Sequence, residues 1–291
     1  MALVLALTAC GPMVRLSGEP SPVANVSTAR PTTTTPPPTT TTNPPAPPVD
    51  FTPAVHAAVA AVPDGELSLA IYDRVGDTMV ASYHPDTQYF TESVVKLLIG
   101  LDSLDRGGSA SQVAEMLSRS DDNTATHLWD LDGGRAIVTR MVAKIGLHDT
   151  VPARSSGIWG DTRTTADDLV LIYQYILGAA PASERSIILA ALHDATNLGA
   201  DGTDQYFGIP YAVGHSLPWA VKQGWACCEP GWVLNTTGLI GPDYRYIVVA
   251  LTSHDNGGGS AVRAADSAEL TKAITALLPY LREQIARTEP R

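Results

Sequence analysis

The period of the apolar positions changes several times between residues 51 and 291, and each change marks a new element. "FTPAVHAAVAAV" (51–62) has a helical period, with Pro53 in the first turn, where no N–H partner is needed. "LSLAIYD" (67–73) and "TMVASYH" (78–84) switch to strand character and read as a hairpin around "RVGD". A short apolar helix, "FTESVVKLLIG" (90–100), follows. The helical period returns over 111–145 and again over 165–178, where Thr165-Ala166-Asp167-Asp168 supplies a capping signal. Three strands come next: "WAVKQGW" (219–225), "WVLNTTGLIG" (232–241) and "YRYIVVALTS" (244–253). Gly241-Pro242-Asp243 forms the turn between the last two. Residues 261–288 close the chain as an amphipathic helix.

The order is thus helix, two strands, a helical block, three strands, helix. The simplest assembly is an α+β fold. All five strands join one antiparallel sheet, the terminal helices cover one face, and the helical block forms a second lobe. A cleft between sheet edge and helical lobe is the natural place for a site.

Composition alters the picture at the front of the chain. Residues 19–49 are rich in Pro and Thr, carry almost no charge and have no periodic apolar face. Such a stretch cannot bury a core and reads as an extended, semi-rigid spacer. Before it, "MALVLALTAC" ends in Leu7-Thr8-Ala9-Cys10, the pattern of a bacterial lipobox. There the Cys sulfur takes a diacylglycerol and becomes the mature N-terminus. The apolar run is short for a secretory signal and lacks a positive start, so the start codon is expected upstream; otherwise Cys10 is a chance Cys after an apolar start. The expected plan is a signal remnant and lipobox over 1–18, a spacer over 19–49, and a folded domain over 50–291. A lipid anchor on Cys10 would then be the protein's membrane attachment, on the outer side of the cell membrane. No run of about 20 apolar residues is present to span a bilayer.

Charge excludes other partners. The 291 residues carry a formal net charge of −11 at pH 7, which argues against nucleic acid and against anionic lipid on the folded surface. Beyond Cys10, the cysteines are the adjacent Cys227 and Cys228. Neighbours are poorly spaced for an ordinary bridge, so they form either a strained ring or two thiols. The seven His residues show no metal-ligand spacing, and no metal or other cofactor is expected.

The candidate chemistry starts with Ser93 and Lys96, three apart at the start of a short helix and facing the same way. They can be a first-turn hydroxyl and a solvated cation, or a nucleophile and the base that activates it. Two further groups fall in order behind them: "SRSDDNTATHLW" (118–129) and Lys222-Gln223-Gly224 on a strand.

With these three groups in place, the chain resembles the class A β-lactamase and penicillin-binding-protein superfamily, and within it the actinobacterial LppW-type lipoproteins. Ser93-Val94-Val95-Lys96 matches S-x-x-K, Asp121-Asp122-Asn123 lies where the family has S-D-N, and Lys222-Gln223-Gly224 where it has K-T-G. "DGGRAIVTRMVAKIGLHDT" (132–150) and "GDTRTTADDLVLIYQYIL" (160–177) resemble the segments that enter and leave the family's omega loop. The resemblance spans nearly all of 50–291.

It implies acyl transfer by a monomer acting on a small-molecule or peptidoglycan-derived substrate. Ser93 Oγ attacks a carbonyl, with a neutral Lys96 as base. The backbone N–H groups of Ser93 and Trp225 form an oxyanion hole, and Lys222 holds a substrate carboxylate; the plain alternative for Lys222 is a strand-edge lysine. Asn123 positions Lys96 and a substrate amide. Gln223 stands where the family has a hydroxyl residue, and Asp121 where it has the S-D-N serine. The hydroxyl relay is then lost unless Ser120 takes the place. The span from Lys96 to Asp121 is shorter than the family's, so a cleft wall is expected to be missing. An Arg154–Asp161 pair is expected to close the loop neck. The loop itself, "TVPARSSGIWG" (150–160), contains no Glu, which removes the family's base for deacylating water. An acyl-enzyme should therefore form more readily than it clears.

Overall fold

The computed structural model describes residues 47–227, 231–255 and 257–288. Cys10, residues 19–46 of the expected spacer and Cys228 lie outside the described residues.

Helix α1 (Thr52–Ala60) leads into strands β1 (Gly65–Asp73) and β2 (Thr78–Tyr83). A short strand β3 (Tyr89–Phe90) and a 3₁₀ turn (Glu92–Val95) precede helix α2 (Lys96–Asp105). The region read as one helical stretch over 111–145 is three helices: α3 (Ala110–Ser118), α4 (Asp122–Leu131) and α5 (Arg135–Ile145). Ser109 and Asp121 cap α3 and α4 by accepting from the backbone N–H groups of Gln112 and Thr124. Gly146, in the left-handed region at φ 81°, ends α5. Strand β4 (Arg163–Thr164) pairs with β3. Helix α6 (Ala166–Gln174) starts at its expected cap, Thr165. Helices α7 (Ala182–His193) and α8 (Ile209–Val213) went unread in the sequence. Strands β5 (Trp219–Ala226), β6 (Val233–Ile240) and β7 (Tyr246–His254) follow, and α9 (Ser260–Thr288) ends the described chain. β7 begins two residues later than the pattern predicts, because Pro242–Tyr244 winds into a 3₁₀ turn.

The sheet runs β2-β1-β7-β6-β5, and every pairing is antiparallel. This is the expected five-stranded α+β architecture. Its central strand is buried on both faces. Tyr246, Val248 and Ala250 of β7 face one core, with Leu69 and Ile71 of β1 and with Leu270, Ile274, Leu277 and Leu281 of α9. Ile247, Val249 and Leu251 face the other core, with the helical lobe. Burying a Leu or Ile side chain contributes about 1.5–3 kcal/mol, so this two-sided burial holds the strand firmly. In the lobe, α2 is buried from Lys96 to Ser103, as a helix enclosed on all sides must be. Arg140 of α5 reaches it through two hydrogen bonds to Asp102, at 2.8 and 2.6 Å. The edge strand β5 borders the turn that starts α2, and the candidate site forms along that border.

Candidate active site

Ser93 lies in the 3₁₀ turn, and Lys96 is the first residue of α2. Residues three apart eclipse one another in a 3₁₀ turn, so the two side chains stack. Lys96 Nζ is 2.8 Å from Ser93 Oγ. Ser93 is 5% exposed and Lys96 fully buried.

Ser120 is the next member. Its backbone sits at φ 53°, a left-handed conformation uncommon for a non-glycine residue. In that conformation Lys96 Nζ donates to both the Ser120 carbonyl (2.8 Å) and Oγ (3.2 Å). The same Oγ accepts from Lys222 Nζ at 2.9 Å. A continuous chain therefore runs Ser93 Oγ, Lys96 Nζ, Ser120 Oγ, Lys222 Nζ. Lys222 comes from β5, is buried, and also donates to the Gln223 carbonyl at 2.8 Å. This burial sets aside the plain strand-edge reading of Lys222.

These contacts move the second motif by one residue. Ser120, and not Asp121, places its side-chain oxygen between the two lysines. Asp121 is the N-cap of α4, its carboxylate accepting from Thr124 N at 2.6 Å. Asp122 lies against Lys96, with Oδ1 2.5 Å from Nζ and a side chain 59% exposed. Asn123, expected at that contact, is exposed on the next position of α4. The aligned triplet is thus Ser120-Asp121-Asp122, with an acid where the family carries an amide.

The third motif divides by strand alternation. Gln223 points away from Lys222 and Gly224. It is buried and donates through Nε2 to the carbonyls of Gln205 (3.1 Å) and Phe207 (2.6 Å). Its side chain thus holds a loop. Gly224 is where β5 meets the Ser93 turn. A Cβ there would lie 2.6 Å from the Thr91 carbonyl oxygen, so only glycine allows the approach. Asn235 of β6 ties down the same turn by donating to the Phe90 (2.8 Å) and Thr91 (3.3 Å) carbonyls. Trp225 follows Gly224, and its indole N–H donates to Asp201 at 3.2 Å.

The electrostatics are those of two cations sharing one buried space. Burial first pulls the Lys96 amine below its ordinary range, and the Asp122 carboxylate pushes back. Lys222 is pulled well below its ordinary range, first by burial and then by the neighbouring Lys96 charge. For both lysines, burial favours the neutral amine.

The loop over 150–161 lies beside this site. The Trp159 ring is 4.7 Å from Lys96 Nζ, and its N–H donates to Thr126 at 3.2 Å. Trp129 N–H donates to the Ser156 carbonyl at 2.7 Å. The neck does not close through Arg154 and Asp161, since no ion pair joins them among the described residues and Arg154 is exposed. Val151 and Arg163 instead exchange two backbone hydrogen bonds, at 2.9 and 3.0 Å. Asp168 accepts from His148 N, Asp149 N and Thr150 Oγ1 at 2.9, 2.9 and 2.6 Å. A buried carboxylate with three donors does the work expected of the salt bridge.

Glu92 escaped the sequence analysis, although it directly precedes Ser93. It sits at φ 47°. Its carboxyl packs on Gly160, where a Cβ would lie 2.9 Å from Oε2. Burial, then the Asp161 and Asp122 carboxylates, push it up to about 7 against the opposing pull of Lys96. Cys227, one residue past β5, is disulfide-bonded and so is not a free thiol.

Comparison with known proteins identifies the family. The sequence model described as "Beta-lactamase enzyme family" matches residues 105–278. This chain belongs to the β-lactamase enzyme family. Within it, the chain is 36% identical over 234 residues to a protein of Mycobacterium tuberculosis named "Putative lipoprotein LppW"; the match covers 76% of this chain and 72% of the relative. The same values hold for the protein of that name from Mycobacterium bovis. Among solved structures, a β-lactamase from Sphaerobacter thermophilus superposes with a TM-score of 0.63 at 21% identity, covering 80% of this chain and 99% of that one. A class A β-lactamase from Mycobacterium abscessus gives 0.64 at 16% identity, covering 79% and 99%. At those identities the structural matches speak for the fold alone. The family match begins after Lys96, so the reading of Ser93 and Lys96 rests on the geometry described above.

Proposed function

We propose that this β-lactamase-family protein is a serine acyl-transfer enzyme of the cell envelope, forming an acyl-enzyme at Ser93 with penicillin-like, D-Ala-type or ester substrates. The observation that carries the reading is the buried chain Ser93 Oγ, Lys96 Nζ, Ser120 Oγ, Lys222 Nζ.

In the acylation step the Ser93 hydroxyl proton passes to neutral Lys96 Nζ as Oγ bonds to the substrate carbonyl carbon. The backbone N–H groups of Ser93 and Trp225 steady the developing oxyanion, an assignment supported by the close approach of Gly224 to the Ser93 turn. The carbonyl–nitrogen or carbonyl–oxygen bond then breaks. The leaving atom takes a proton through Ser120 Oγ, which is resupplied from Lys96 or Lys222. Lys222 and the Trp225 backbone N–H face the substrate, while the Gln223 side chain serves the fold. Clearing the acyl group needs a positioned water and base. With no Glu between 150 and 160, deacylation is the slow half. No bound cofactor is required for either half.

The domain over 50–291 acts as a monomer outside the cell membrane, tethered through lipid on Cys10 and the Pro/Thr spacer over 19–49. The lipoprotein name of the 36%-identical relative supports the anchor, and no helix among the described residues is long and apolar enough to cross a membrane.

One observation favours a second reading. The Asp122 carboxylate beside Lys96 opposes loss of that amine's proton, and a site whose lysine keeps its charge would be a binding module for a wall peptide or protein partner. Covalent labelling by a fluorescent penicillin, with Ser93→Ala as control, separates the two.

A further inference from the structure

A second cluster of side chains lies where β7 ends against the first half of α9. His254 is the last residue of β7, and Asp266 and Glu269 stand one turn apart on α9. One ligand-type atom from each of the three lies within 4.8 Å of the others. The Asp64 carboxylate, in the turn before β1, acts electrostatically on both His254 and Glu269.

The imidazole is the unusual member. His254 is 1% exposed, yet neither ring nitrogen has a hydrogen-bond partner among the described residues. Its nearest ionic neighbour, Asp266 Oδ1, is 3.6 Å from Nδ1, beyond hydrogen-bond range. Buried polar groups are almost always partnered, because an orphaned one costs about 1–3 kcal/mol. The site is also built tightly around the ring. A Cβ on Gly65 would lie 2.6 Å from Nδ1, so the imidazole rests directly on the β1 backbone. Glu269 Oε2 is buried and likewise without a partner. Two orphaned donor atoms from different elements, beside a second buried carboxylate, need a common occupant.

We propose that His254, Asp266 and Glu269 form a site for a divalent transition-type cation, with zinc as the best fit. One imidazole with two carboxylates is a borderline donor set that suits zinc better than magnesium or calcium, which favour oxygen alone. Ligands in a tetrahedral zinc site stand roughly 3.3–3.6 Å apart, as bond lengths of 2.0–2.2 Å require. The cluster needs to tighten on the order of 1 Å to reach that spacing, and Glu269, the least buried of the three, can make that movement. A bound cation would fasten α9 to the end of the sheet. The sequence hid this set because a strand end and a helix contribute it, with no compact ligand motif.

The test uses the tag-free protein stripped with EDTA and titrated with zinc chloride, read by calorimetry and by thermal melting. One equivalent should bind and raise Tm. Glu269→Gln, at the most accessible ligand, should fold and weaken binding by at least about tenfold. Asp266→Asn in the same background should abolish the Tm rise. No binding by the stripped wild type would overturn the site, leaving a buried ion pair or a trapped water. Wild-type affinity in Glu269→Gln would also overturn it, assigning the zinc to other groups. The cluster shares no residue with the Ser93 machinery, so neither result bears on acylation.

Discussion

Asp122 Oδ1 lies 2.5 Å from Lys96 Nζ, the amine that also touches Ser93 Oγ. Burial pulls the Lys96 amine down and Asp122 pushes it up. The proposed base is thus restrained by a neighbour that is itself largely exposed. An opposite charge this close typically moves a pKa by one to three units. Asp122→Asn removes that charge and keeps the shape. The expected result is acylation at pH 7 faster by about tenfold or more, with the rate-against-pH curve displaced to lower pH. Labelling rates measured across pH check it; an unchanged curve would remove Asp122 from control of Lys96.

Among the described residues, Ser120 is the one hydroxyl shared by Lys96 and Lys222. Ser120→Ala should slow acylation by roughly 10²-fold, the low end of what a positioned proton-transfer group contributes. Asn123→Ala, on the exposed face of α4, should leave the rate unchanged. Single-turnover labelling of both variants decides the register of the motif. The reverse pattern would restore Asn123 to the site.

That register shows where the sequence was legible and where it was not. Ser93, Lys96 and Lys222 were readable because each fills a motif position of the family the chain resembles, on an element that the strand and helix periods define. Strands β1, β6 and β7 were readable because each alternates between two buried faces, as Leu69 and Ala70 do on β1. "SRSDDN" has no such period, and its alignment turns on the left-handed backbone of Ser120. Local pattern cannot announce that conformation. The inward turn of Gln223 follows from alternation relative to Lys222, but the carbonyls it serves come from a distant loop. The neck failed for a related reason. Asp168 was legible as part of a helix-capping signal, yet its carboxylate is spent on the backbone at 148–150.

Glu92 gives a pH signature in stability. Its carboxyl is raised from an ordinary 4.5 to about 7 in the folded protein. A raised folded-state pKa means the native state prefers the protonated form. Its stabilising contribution is fully present below about 4.5 and is lost as pH rises through about 7. Glu92→Gln keeps a neutral side chain at every pH. The stability of this variant relative to wild type should therefore climb between about pH 4.5 and 7 and then level off, by at most about 3 kcal/mol. Paired denaturant melts over pH 4–8 measure the difference curve. A flat difference would mean that Glu92 is not held away from water beside Asp161 and Asp122.

The central claim is that Ser93 is a nucleophile, and intact-mass spectrometry after incubation with a fluorescent penicillin tests it most directly. The account predicts a single adduct on the wild-type chain, mapped to the peptide containing Ser93, absent in Ser93→Ala and slow to clear after excess probe is removed. A wild-type chain that takes up no adduct from penicillins, cephalosporins or activated esters, or an adduct that survives Ser93→Ala, would contradict it.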